Sequence, residues 1–370
     1  MKRIVCYALF AAASMMGQQL KLAIVGLNHD HVWNQLPVTL KGDLVALVGV
    51  AETLKDRVER IEKEETTPQG GKRPAVPASL IHSDWKEMID STKPNIVWAY
   101  VETSRHAEIV RYCAPRGIHV IFEYPMSVTA ADAREIQKLA RQYKVQVLTN
   151  YQFWAWSAPY HAAKAVVDAG TIGPVYRLSG LLGHGGPGDY RQSTFLTWLE
   201  SQDKNGGGAI IDFAGPLVAW ALWVKGTPQS VFARVDHLRP SEFNGGVDDN
   251  STIILNYKDG VAILEGTWDM PAAPTADNQI FGLKGGVVFG RNSAQLYTPN
   301  GGGRRGSTAT PIDVHPLTPE QSGALAYMVD CITKHRDLEG MSGLDLNVRV
   351  VDVFEAARKS IADSRAVPIR

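Results

Sequence analysis

Residues 21–31 read KLAIVGLNHDH, an apolar run that stops at Gly26 and opens onto a polar, histidine-bearing loop. An apolar strand ending in glycine is how a βαβ nucleotide-binding unit begins, with loop amides at a helix N-terminus turned toward a ligand. Working outward, apolar runs recur at Leu44–Ala51, Asn95–Val101, His119–Phe122 and Val145–Thr149. Helical patterns separate them at Lys55–Glu65, Trp85–Asp90, His106–Arg116 and Ala130–Tyr143. Continuous apolar strands alternating with helices predict a parallel sheet covered on both faces. Thr66–Ala78, rich in Pro, Gly and Thr, predicts a surface loop.

The second half changes character. After a helical stretch at Pro159–Ala169, strand patterns dominate at Val175–Leu182, Val231–His237, Ser251–Tyr257, Val261–Trp268, Gln279–Leu283 and Val287–Phe289. Lys258-Asp259-Gly260 and Gly285-Gly286 have hairpin-turn composition, so this sheet is expected to be antiparallel. Ala209–Val224 predicts one apolar helix packed on a face of it, Asn300–Arg305 a flexible loop, and Pro319–Lys334 and Leu344–Ser364 the closing helices. The expected fold class is α/β: a Rossmann parallel sheet at 20–149, then an α+β substrate and oligomerisation domain at 150–370 with a large open, mainly antiparallel sheet. Its last helix can pack back on the first domain.

Lys plus Arg and Asp plus Glu each total 38, so no net field attracts nucleic acid or an anionic membrane. A small, locally recognised ligand suits that balance. Lys2 and Arg3 precede an apolar stretch from Ile4 to Met16, the layout of a secretory signal peptide over residues 1–19. This places the chain in the periplasm or outside the cell, and in the cytoplasm only if the segment is not a signal. Cys113 and Cys331 remain beyond it, read as two buried thiols rather than a disulfide framework.

The loop after the first strand keeps only one glycine of the G-x-G-x-x-G pattern. Gly26 matches, while Asn28 and His31 stand where the second and third would be. Glu52, at the end of the second apolar run, lies where a carboxylate accepts from both ribose hydroxyls and repels a 2′-phosphate. It therefore selects NAD over NADP, or else it only caps the following helix. His29 and His31 can bond a phosphate or a sugar, or they reshape the loop.

Further along, Val97–Ile136 reads VWAYVETSRHAEIVRYCAPRGIHVIFEYPMSVTAADAREI. This stretch resembles the glucose–fructose oxidoreductase / inositol dehydrogenase (Gfo/Idh/MocA) family, whose pattern is T-P-x-x-x-H, a helix, then G-x-x-V-x-x-E-K-P. His106, Gly117, Val120, Glu123 and Pro125 match it. So do Gly170-Thr171-Ile172-Gly173 before a strand, Gly206-Gly207-Gly208 followed by Asp212, and Ser360 with Val367. The resemblance runs from Lys21 to Ile369. It implies a nicotinamide cofactor, with His106 and Glu123 joining Gly26, Asn28, His29, His31 and Glu52 around it, and a carbohydrate-like substrate. By analogy it also implies a homo-oligomer built on the open sheet.

The departures concern the chemistry. The family's catalytic Lys is Tyr124 here, its His is Pro216 and its final Asp is Ala219, while Asp212 is retained. A proton must still leave the substrate hydroxyl when hydride leaves its carbon, so a replacement base is needed. Tyr124 is a candidate if a neighbour lowers its phenol pKa, and is otherwise an aromatic wall. His184, between glycines, is a second candidate or a plain loop histidine. Tyr151, Trp154 and Trp156 can stack on a sugar or pack between domains. No element carries ligands at metal spacing, including Asp248-Asp249-Asn250, so no metal is expected. Three functions stay open: an exported oxidoreductase that retains NAD; a hydrolase, lyase or epimerase using transient oxidation; and a binding protein that has lost the chemistry.

Overall fold

The computed structural model describes residues 19–66, 71–187, 194–243, 246–270, 277–301 and 306–369. Residues 1–18 of the expected export segment (1–19) and the run 302–305 of the glycine–arginine loop lie outside them.

The first sheet contains β1 (Lys21–Val25), β2 (Ala46–Ala51), β3 (Ile81–His82), β4 (Ile96–Ala99), β5 (His119–Glu123) and β6 (Val147–Asn150). All pairs are parallel, in the order β3-β2-β1-β4-β5-β6. That is the doubly wound Rossmann arrangement, with its ligand crevice at the carboxyl ends of β1 and β4. Strand residues alternate between two cores because successive side chains point to opposite faces. Leu22, Ile24, Ile96 and Trp98 face one core, Ala23, Val25, Val97 and Ala99 the other.

Helices cover both faces. The second core is closed by α3 (Trp85–Thr92), α4 (His106–Cys113) and α5 (Ala130–Tyr143). The first is closed by α1 (Val32–Lys41), which the apolar periodicity had not revealed, and α2 (Lys55–Ile61). Pro37 lies inside α1 and masks its helical character in the sequence. Thr66 was expected in loop, yet Glu65–Thr66 pairs with Lys72–Arg73 as a small hairpin. Cys113 and Cys331 are buried, free thiols in separate cores.

After α6 (Ala158–Asp168) comes a nine-stranded sheet: β7 (Val175–Gly183), β8 (Ser230–Asp236), β9 (Asn250–Tyr257), β10 (Gly260–Thr267), β11 (Asn278–Gly282), β12 (Gly285–Phe289), β13 (Ala294–Pro299), β14 (Ser307–Pro311) and β15 (Val367–Pro368). Their order is β14-β13-β12-β11-β7-β10-β9-β8-β15. β7 and β10 run parallel; the other neighbours are antiparallel. β13 and β14 escaped the sequence reading, since every residue of β14 is exposed and no buried face imposes alternation.

Beyond the short helices α7 (Thr194–Leu199) and α8 (Gln202–Asn205), the apolar helix expected over Ala209–Val224 is two helices. α9 (Ala209–Asp212) and α10 (Ala214–Lys225) meet at Phe213, where the segment Gln202–Asp212 is bent by 68° from α10. Pro216 explains the break. It has no N–H, and its ring would strike the carbonyl four residues back, at Asp212, if the helix continued. Gly266 of β10 makes room for the bend: a Cβ there would lie 2.4 Å from Ala214 N and 2.8 Å from Ala209 O.

The C-terminal helices return to the first sheet. Buried residues of α11 (Ala324–Thr333) join its first core, and Val348 and Val351 of α12 (Leu344–Asp363) join its second. Arg134 of α5 donates to Asp352 at 2.7 Å. Among the described residues no single helix is long and apolar enough to cross a membrane.

Candidate active site

The site begins where β1 ends. Gly26 has φ +75°, and a Cβ on it would sit 2.7 Å from Val101 Cγ1 and 3.1 Å from the Tyr100 carbonyl. Only glycine allows the loop to pass so close to the end of β4. The loop's amides are largely satisfied within the protein: Leu27 N donates to Glu52 Oε2 at 2.7 Å, and Asn28 N and His29 N donate to Tyr100 O at 2.9 and 3.3 Å. These three amides are therefore not open to a phosphate.

A groove of about 300 Å³ runs along this loop, lined by Gly26, Asn28, Glu52, Thr53, Glu102 and Arg105 among others. Glu52 Oε1 accepts from Thr53 N and Leu54 N, and among the described residues Oε2 accepts from Leu27 N, which leaves it a lone pair. Glu52 thus both shapes the loop and turns an acceptor to the groove. Arg105 brings a guanidinium to the same groove. The donor set fits a nucleoside with an anionic tail.

Beyond His29 lies a second cavity of about 270 Å³, lined from both sheets by His29, Asp30, His31, Tyr124, His184 and Asp212, with apolar walls from Phe153, Trp198 and Ile211. Burial, His31 and His106 lower the His29 pKa well below the ordinary histidine value, so its ring is neutral. Burial raises the Asp30 carboxyl, against the pull of Arg57, whose Nη1 is 3.9 Å away.

Tyr124 meets the break between α9 and α10. Its hydroxyl donates to the Asp212 backbone carbonyl at 2.7 Å, with Asp212 Oδ1 at 3.3 Å. That carbonyl is the one Pro216 cannot serve, so two departures from the family pattern are structural partners. Trp268 Nε1 holds Asp212 Oδ2 at 2.8 Å. Burial, then Asp212 and Glu123, push the Tyr124 phenol well above its usual value. The condition for Tyr124 as a base, a lowered pKa, is therefore not met; it is a neutral donor. His184 Nδ1 accepts from Gly186 N at 2.9 Å, which leaves Nε2 as its second polar atom in an exposed ring against Phe213.

The E-Y-P turn ties the loop to the sheet. His31 Nδ1 and Glu123 Oε2 are 2.8 Å apart. Asn150 Nδ2 donates to both Glu123 oxygens at 2.9 and 3.2 Å, and Trp156 Nε1 donates to Asn150 Oδ1 at 2.8 Å. Glu123 is 2% exposed.

Four sequence-selected residues stand away from the cavity. His106 is 1% exposed, stacked on Phe122 and bonded at Nδ1 to Met126 O at 3.1 Å, so it anchors the turn rather than touching a cofactor. Tyr151 is fully buried, its hydroxyl held by Asn347 at 2.7 Å and its ring stacked under Tyr124. Trp154 meets the Tyr124 ring edge-on from the core side. Trp156 packs beside Tyr327 and lines other cavities. The alternation BieiB over residues 151–155 turns Phe153, not its neighbours, to the site.

Sequence reasoning missed Asp30, Phe153, Trp198 and Asn205. Asp30 sat in plain view between two histidines; Trp198 and Asn205 carry no pattern, since folding alone brings them over the loop. Asp248 and Asp249 are loop clamps: Asp248 accepts from Gly208 N and Ile210 N, Asp249 from Leu238 N and Arg239 N.

Comparison with known proteins agrees with this geometry. Residues 20–151 match the family model described as "Oxidoreductase family, NAD-binding Rossmann fold", and residues 160–288 match the "GFO/IDH/MocA C-terminal domain". An uncharacterized oxidoreductase of Schizosaccharomyces pombe is 27% identical over 200 residues, 53% of this chain and 52% of that protein. Scyllo-inositol 2-dehydrogenase (NADP(+)) of Bacillus subtilis is 24% identical over 203 residues, 54% of this chain and 53% of that protein. The matches thus span about half the length of these curated relatives. The solved aldose-aldose oxidoreductase of Caulobacter crescentus, complexed with glycerol, superposes with a TM-score of 0.76 at 21% identity, covering 95% of this chain and 100% of that one. That likeness shows a shared fold.

Proposed function

This chain belongs to the Gfo/Idh/MocA oxidoreductase family, and from that premise we propose that it oxidises or reduces a secondary alcohol of a sugar, sugar derivative or cyclitol with retained NAD. The observation that carries the reading is the adjacency of the two clefts. The Glu52 groove and the His184–Asp212 cavity adjoin across a single loop, residues 26–31. When bound, the nicotinamide supplies a two-electron hydride acceptor. Glu52 accepts from the ribose, and its carboxylate disfavours a 2′-phosphate.

In the cavity, the Tyr124 proton is held by the Asp212 carbonyl, and Asp212 Oδ1 accepts from a neighbouring hydroxyl of the substrate, which orients the ring. His184 Nε2 takes the proton that the reacting hydroxyl releases as its carbon loses hydride, and returns it in the reverse direction. Apolar walls at Phe153 and Trp198 suit the C–H faces of a ring. We read residues 1–19 as an export signal, on their basic start and short apolar run; a mature N-terminus between Ser14 and Leu20 in the native host is the expected result.

The test uses purified protein. Its denatured supernatant is assayed for dinucleotide, and the native protein is offered sugars and cyclitols while NADH is followed. Dinucleotide binding with net NADH formation supports the proposal. Cleaved or unsaturated product without net NADH moves the chain to the transient-oxidation class, and absence of saturable NAD binding makes it a binding protein.

A further inference from the structure

The fold assembles a ligand set that spacing along one element does not reveal. One ligand atom from each of His29, His31 and Glu123 lies within 4.8 Å of the others, although Glu123 is 92 residues beyond His31. We propose that these three side chains bind one divalent transition-metal cation of the zinc class at the inner wall of the cavity. Two imidazoles and a carboxylate suit Zn²⁺ and its first-row neighbours, whereas Mg²⁺ and Ca²⁺ take oxygen ligands.

Each ligand is already oriented. His31 N donates to His29 Nδ1 at 3.2 Å, which assigns metal binding on that ring to Nε2. Asn150 holds Glu123, and Trp156 holds Asn150, an outer layer of hydrogen bonds of the kind that fixes metal ligands. The 2.8 Å His31 Nδ1–Glu123 Oε2 contact already brings an imidazole and a carboxylate atom to the spacing of two ligands on one ion. The supports are a sheet end and a loop pinned by Gly26, so the set exists before any ion arrives.

Placement and charge agree. His29 and His31 line the cavity while Glu123 lies behind them, so remaining coordination positions open onto it for a water or substrate hydroxyl. Asp30 and Asp212 also line the cavity, and among the described residues no Lys or Arg does.

The proposal stands apart from the hydride-transfer reading, because metal binding is measured without dinucleotide or substrate. Full-length protein is stripped with chelator and titrated calorimetrically with Zn²⁺. One ion per chain is expected. His31→Asn and Glu123→Gln each weaken binding by at least about 100-fold, while His315→Ala, at an exposed histidine outside the cavity, leaves it unchanged. X-ray absorption of the Zn²⁺-loaded wild type should count two imidazoles at about 2.0–2.1 Å, a reading that needs no variant to fold. No stoichiometric ion, variants that bind as wild type, or fewer than two imidazoles overturns the site. Failure here beside intact NADH formation leaves the functional reading standing, and an occupied site without NAD binding does the reverse.

Discussion

At the scale of single residues, Tyr124 and His106 carry measurable consequences. Tyr124→Phe removes the donor that the Asp212 carbonyl has in place of Pro216. It should cost about 1–3 kcal/mol in urea unfolding, the penalty of an orphaned buried acceptor. Because Tyr124 is held neutral, the shape of the pH–rate profile should not change with it; a lost limb would restore the phenol as the base. His106 titrates at about 4 in the folded chain against 6.5 when exposed. Between those values the unfolded chain binds the extra proton, so stability is full above pH 6.5 and falls as pH drops toward 4, by roughly 2–3 kcal/mol. Asp248, pushed up to about 6 by burial, acts with the opposite sign, losing its contribution as pH climbs through 6. Comparing His106→Gln with wild type at pH 7 and 5 isolates the histidine: the variant should show the shallower loss. At this scale the position of Glu52, at the end of β2 and on the groove, was legible from the strand that precedes it. Tyr151 and Trp156 were not, since an aromatic near a site reads alike whether it faces the ligand or the core.

Elements show where periodicity succeeds and fails. Buried parallel strands are unbroken apolar runs, so β1, β2, β4, β5 and β6 could be read within a few residues. The edge strand β14 has no buried face and left no pattern. The α9–α10 break was written in the sequence as Pro216, four residues beyond the carbonyl it cannot tolerate, but an apolar window smooths over such a stop. Gly266 is the complementary residue on the sheet. Gly266→Ala drives a Cβ to within 2.4 Å of Ala214 N. It should destabilise the protein by about 1–3 kcal/mol and displace Asp212. A lowered urea midpoint together with weakened substrate binding is the expected result; an unchanged midpoint would show that helix and strand separate freely.

For the whole molecule, we expect a homo-oligomer built on the outer face of the nine-stranded sheet, where Tyr176 of β7 is 43% exposed. Light scattering after size exclusion should return a multiple of 40.4 kDa less any cleaved signal. Tyr176→Arg should lower that mass if this face is the seam. The organisation into two sheets was legible, because strand chemistry changes at the first sheet's end. That α11 and α12 grip opposite faces of the N-terminal sheet was only partly so, since amphipathic helices do not announce which sheet they will cover. Their placement bears on the order of events during synthesis. The parallel sheet leaves the ribosome with both flanks incompletely sheltered and stays so until the last fifty or so residues have been made. The halves therefore cannot mature one after the other; the nascent chain is held open to chaperones until its final helices arrive.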